Sequence, residues 1–134
     1  MRPALAEPRG EPRARALFTR WLAWASGAGM PGGCLFVAAS TELDDKPGPV
    51  RDRLAMWQHD WYAAIARTYQ LGVEAGAFRP EVDGEQFAQD LQGILLAFHH
   101  RSRLMRDAKA GERARRAFDR LLASVVTERK TVTP

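Results

Sequence analysis

Four tryptophans are the residues best placed to bind something: Trp21, Trp24, Trp57 and Trp61, within 134 residues. Trp57 and Trp61 lie four apart, the spacing that puts two side chains on one helix face; Trp21 and Trp24 lie three apart on another segment. Joined by Phe36 and Phe98, these rings have the makings of an aromatic-lined small-molecule pocket, because such pockets are mostly apolar with a few polar groups. Rings at helical spacing also serve as plain core, so both readings stand. Gly72 and Gly93 could leave space beside the rings, or simply permit close packing. His99 is a candidate polar group on the pocket wall.

Other chemistry finds less support. His99 and His100 are adjacent and point about 100° apart on a helix, so they do not converge on one metal ion. His59 stands beside Asp60 on a different segment. A zinc-type site needs three or four convergent ligands, and nothing fixes Glu42, Asp44 and Asp45 around a histidine. No metal and no cofactor is expected. Cys34 follows two glycines and opens an apolar helix. That position could lower a thiol pKa, but a cysteine enzyme also needs a base within reach, and core is the better reading. The glycine-rich run from Gly27 to Gly33 lacks the Lys-Ser/Thr of a phosphate-binding loop and follows no strand, so it reads as a connection near the pocket mouth. A non-enzymatic protein is the expectation.

Composition bounds the rest. The chain is long enough for one domain with its own core. An apolar fraction of 46% and a charged fraction of 27% suit a soluble globular protein. A single cysteine excludes an intrachain disulfide framework. The apolar run from Cys34 to Ala39 is far short of a membrane span, and Met1 to Pro8 holds no apolar signal core, so a cytoplasmic protein is expected. The net charge of +4 is unevenly placed: residues 21–100 carry ten acidic against five basic groups, and residues 101–134 carry ten basic against four acidic. The basic end has no base-reading element with it and reads as a solvated, partly salt-bridged face rather than a DNA-binding surface.

The elements that position these residues are all helical. Pro3, Pro8 and Gly10 make residues 1–10 a loop or the end of a connecting helix. A first main helix runs from Glu11 to Ser26. A second, from Cys34 to Leu43, is apolar nearly all round and is expected to be buried on most sides. The third opens at Pro49 and runs to Ala75, roughly 40 Å at 1.5 Å per residue, with Gly76 as its C-terminal cap. Asp83 followed by Gln86 predicts a capping box for the fourth, which extends to Arg106. The fifth runs from Lys109 to Val126, and residues 128–134 form a frayed tail. The fold class is therefore all-α, a bundle-like domain of five main helices.

The run Pro31-Gly32-Gly33-Cys34-Leu35-Phe36-Val37-Ala38-Ala39-Ser40-Thr41-Glu42-Leu43-Asp44-Asp45-Lys46-Pro47-Gly48-Pro49, with Val50 to Leu54 after it, closely resembles the C-terminal domain of TetR/AcrR-type transcriptional regulators. Gly72 to Gly76 with Phe78 and Asp83, then Gln86-Phe87-Ala88, Gly93 to Ala97 and Ala117 to Leu122, resemble later parts of that domain more loosely. The resemblance spans Leu5 to Val126 and assigns residues 11–127 to a ligand-binding and dimerisation domain. It implies an effector pocket among these helices, for which Trp21, Trp24, Phe36, Trp57, Trp61, Phe98 and His99 are the candidates, suited to an apolar or aromatic molecule. It also implies a homodimer through the last two helices. Their apolar stripes and small residues suit a four-helix bundle across a two-fold axis. Leu91, Leu95, Phe118, Leu121, Leu122 and Val125 are the candidates for that interface, with intrachain core as their alternative. The helix-turn-helix part of such regulators has no counterpart here, so DNA binding is expected only if that part is supplied. A stand-alone module acting through mixed dimers with a full-length relative is an alternative reading, and a small helical enzyme is a further one.

Overall fold

The computed structural model describes residues 2–27 and 31–127, which excludes the expected frayed tail and the middle of the glycine-rich connection. Six helices follow one another: α1 (Arg2–Leu5), α2 (Glu11–Ser26), α3 (Leu35–Leu43), α4 (Pro49–Glu74), α5 (Gly84–Arg103) and α6 (Ala110–Val125). The five main helices fall where periodicity and breakers put them. The sixth is the single turn α1, within the stretch read as loop or helix end; it packs against α2 and buries Ala4.

Prolines sit in the first turns of α2 and α4, where an N–H would have no partner within the helix. Gly76, at φ +71°, ends α4 in the left-handed region, and its N–H returns to the Val73 carbonyl at 2.9 Å. The expected capping box before α5 is half formed. Asp83 accepts from the Glu85 backbone N–H at 3.0 Å, but the Gln86 amide turns forward to Asp90 at 2.8 Å instead of back. The helix also stops at Arg103, three residues early, where Leu104 and Met105 are exposed and Arg106 adopts φ +51°.

Helix α5 is the centre of the bundle, packed between α4 and α6. Its apolar stripe of Phe87, Leu91, Leu95 and Phe98 is buried together with Ile65 and Tyr69 of α4 and Ala114, Phe118 and Leu122 of α6. Helix α2 reaches the same core through Phe18, whose ring stacks on Phe118 at 4.2 Å. At the far end, Tyr69, Phe78 and Phe87 form an aromatic cluster. There the connection after α4 is stitched to the end of α6: Arg79 N–H donates to Val125 O and Thr127 N–H to Ala77 O. The Tyr69 hydroxyl donates to Arg79 O at 2.7 Å.

The expected burial of the second main helix fails as well. Helix α3 buries none of its residues, and Leu35 is 64% exposed. It packs mainly against α4 and forms one wall of an open cleft. Its all-round apolar character therefore serves a surface that stays partly uncovered in the free domain.

Candidate functional site: an aromatic cleft

The cleft has a volume of about 520 Å³ and lies where α2, α3 and α4 meet, with Gln92 of α5 at its base. On α4, Trp57, Asp60, Trp61 and Ala64 follow i, i+3, i+4, i+7 spacing, which aligns them on one face. On α2, Arg20, Trp21 and Trp24 supply the opposite wall, and Cys34, Phe36 and Val37 supply the third. Phe36 meets Trp57 edge-on with ring centroids 5.7 Å apart, and Trp24 is tilted against Phe36 at 6.4 Å.

All four tryptophans and Phe36 thus line one space. Trp57 is 49% exposed and Trp24 36%, an uncommon use of the most costly apolar rings unless something covers them.

Phe98 and His99 do not line this cleft. Phe98 packs edge-on behind Trp21, 6.1 Å between centroids, and supports the wall from the core. His99 turns the other way, toward the connection before α3: a Cβ on Gly33 would lie 2.9 Å from His99 Nε2. That nitrogen is buried and has no hydrogen-bond partner among the described residues. Burial, and then the neighbouring Arg103, hold the imidazole below its ordinary pKa. Arg103 also donates to Pro31 O, which ties the connection to the end of α5.

Sequence reasoning missed Arg20, Asp60 and Gln92. Asp60 was recoverable, since it shares the face of Trp57 and Trp61. Gln92 was not, because nothing local marks a glutamine whose helix faces an indole thirty-one residues away. Cys34 is 2% exposed, and burial raises its thiol pKa, so it is an unreactive part of the wall.

A second groove of about 560 Å³ runs along the outer side of α5 and α6, over Gly93, Ile94, Ala97 and Ala117, with Asp90, Arg101 and Arg113 at its rim. Asp107, in the connection just before α6, pairs with Arg101 at 2.8 Å and Arg113 at 2.6 Å. It also accepts from Lys109 N–H at 2.9 Å. That backbone bond first, then Arg101, hold the Asp107 carboxyl below its usual range. The residues nominated for a dimer interface are elsewhere. Leu91, Leu95, Phe118, Leu122 and Val125 are each at most 2% exposed, and Leu121 is half-buried beside them. The intrachain-core alternative is where they lie, because one helix cannot turn the same stripe to two partners.

No group of three or more metal-ligating side chains comes together among the described residues, and no helix there is long and apolar enough to cross a membrane.

The family described as "Tetracyclin repressor-like, C-terminal domain" matches residues 10–118. The chain belongs to this family. Comparison with curated proteins finds no match. Among solved structures, a TetR transcriptional regulator from Chloroflexus aurantiacus J-10-fl superposes with a TM-score of 0.76 at 21% identity, over 93% of this chain and 64% of that one. At that identity the likeness concerns the fold. The chain spans less than two thirds of the regulator's length. The TetR-type domain seen here is thus all-α, with its aromatic cleft walled by the first three main helices and a second groove on the last two.

Proposed function

We propose that this TetR-type domain senses a small apolar or aromatic molecule and dimerises, as the ligand-responsive part of a cytoplasmic transcriptional regulator. The observation that carries the reading is the cleft of about 520 Å³ in which four indoles and Phe36 converge while two of the indoles remain solvent-accessible. Burying such rings against a ligand removes apolar area from water at about 25 cal/mol per Å². Helix α3 is the responsive element, since it buries nothing of its own and leans mainly on α4. A ligand that packs between α3 and α4 favours the arrangement it fits, and shifts the population accordingly. Operator affinity follows when an operator-reading domain is coupled to these helices.

The dimer face that fits this reading is the groove on α5 and α6. Gly93, Ala97 and Ala117 let two helix pairs approach closely across a two-fold axis.

The test is a thermal-shift screen with apolar and aromatic compounds on the wild-type domain and on Trp57→Ala. Compounds that raise Tm in the wild type and fail to do so in the variant support the reading. No stabilising compound, or hits indifferent to Trp57, would sink it.

A further inference from the structure

Among the described residues, Gln92 is the one buried polar side chain on the cleft, 5% exposed in the middle of α5. The indole N–H of Trp61 donates to its Oε1 at 2.8 Å. An indole nitrogen only donates, so the amide cannot be reversed: oxygen faces Trp61, and the NH2 group faces away from it. Among the described residues that NH2 has no partner, yet it is not sealed off from solvent, since His99 Nε2 is the sole dry unpartnered side-chain atom there. Gln92 lines the cleft together with Trp24, Phe36 and Trp57. With its oxygen engaged by Trp61, the NH2 group is the donor this residue has left to offer a molecule bound there.

Resting on the ligand-sensing reading above, we infer that the cleft selects planar aromatic molecules bearing a hydrogen-bond-acceptor oxygen, a ring-attached carbonyl or carboxylate, which Gln92 Nε2 receives. The rings take the planar body and Gln92 sets its orientation. Trp61 lines the wall and also holds the amide in place through its indole N–H. A donor left unpaired under a bound apolar ring costs the complex its desolvation, so a ligand without the oxygen is disfavoured. Arg20 and Asp60 stand on opposite walls, and neither forms an ion pair among the described residues. Arg20 attracts a carboxylate and Asp60 opposes one, so the balance between them decides between acid and neutral carbonyl.

The experiment titrates the domain with acetylnaphthalene, naphthoate, ethylnaphthalene and naphthylmethylammonium, following indole and side-chain amide resonances by NMR. At least one of the two acceptor-bearing probes is expected to bind roughly tenfold more tightly than ethylnaphthalene, in line with one added hydrogen bond. The Gln92 NH2 resonances shift with that probe alone. Naphthoate leading identifies an acid, and acetylnaphthalene leading identifies a neutral carbonyl; either supports the inference. Gln92→Leu erases the preference while ethylnaphthalene binding persists. Gln92→Glu, which still accepts from Trp61 but donates nothing when ionised, does the same if the leucine variant fails to fold. Ethylnaphthalene or naphthylmethylammonium binding as tightly as both acceptor probes, or a preference that survives in the variants, overturns the inference and leaves the cleft a ligand site. Absence of binding by all four probes overturns the inference and the ligand-sensing reading together.

Discussion

A Cβ on Gly72 would lie 2.2 Å from Cδ2 of Phe78. Phe78 cannot retreat: it is 1% exposed, stacked on Tyr69 with centroids 5.1 Å apart, and its backbone bridges to Val126. The glycine is thus the space into which the aromatic ring closes the far end of the bundle. Gly72→Ala gains helix propensity of about 1 kcal/mol but overpacks a tight site. The net effect is a loss of about 1–3 kcal/mol, read as a lower urea midpoint with an unchanged slope. A midpoint at or above that of the wild type contradicts this account.

Phe18 and Phe118 stack at 4.2 Å with 11° between ring planes and join α2 to α6. Each truncation to alanine is expected to cost about 3–5 kcal/mol. The double variant should cost less than the sum by about 0.5–1.5 kcal/mol, the part that belongs to the ring pair itself. Strict additivity in a double-mutant cycle would show that the two rings contribute independently.

His99 makes stability depend on pH in one direction. Its folded pKa lies below the ordinary 6.5 because of burial and then Arg103. The unfolded chain therefore binds the proton first as pH falls. Stability from this group is intact above pH 6.5 and declines as pH drops through the depressed folded value. Urea midpoints at about pH 7.5 and pH 5.5 are compared with those of His99→Gln, and the acid-side loss shrinks in the variant. An equal loss in both proteins assigns it to other groups.

Gly93 has open space where a Cβ would stand, on the groove of α5 and α6. Gly93→Arg should leave the fold of a single chain intact, since no neighbour within the chain is displaced. In a homodimer closed on this face it inserts two long charged side chains at the two-fold axis. Sedimentation equilibrium is expected to show a dimer for the wild type and a monomer for the variant. A wild-type monomer, or a dimer unaffected by the arginine, removes this groove as the interface.

Much of the architecture was legible in the residues alone, because its signals are local. Pro12, Pro49 and Gly76 act on their own backbones, and a stripe such as Phe87, Leu91, Leu95 repeats within one helix. Those features, and the run from Pro31 to Pro49, were enough for an all-α domain of the TetR type with Trp21, Trp24, Phe36, Trp57 and Trp61 as its distinctive side chains. What a stripe does not carry is the identity of the surface it meets. Leu91 and Phe118 read equally as core or as dimer face, and only the packing of α4, α5 and α6 made them core. The apolar helix α3 read as buried and lies open, because exposure depends on whether another element arrives to cover it. Phe98 and His99 left the cleft by their rotation about α5, and Gln92 entered it through a bond to Trp61. Helix formation is settled within a few residues. The membership of a cavity depends on contacts between segments tens of residues apart, and those exist only once the chain has packed.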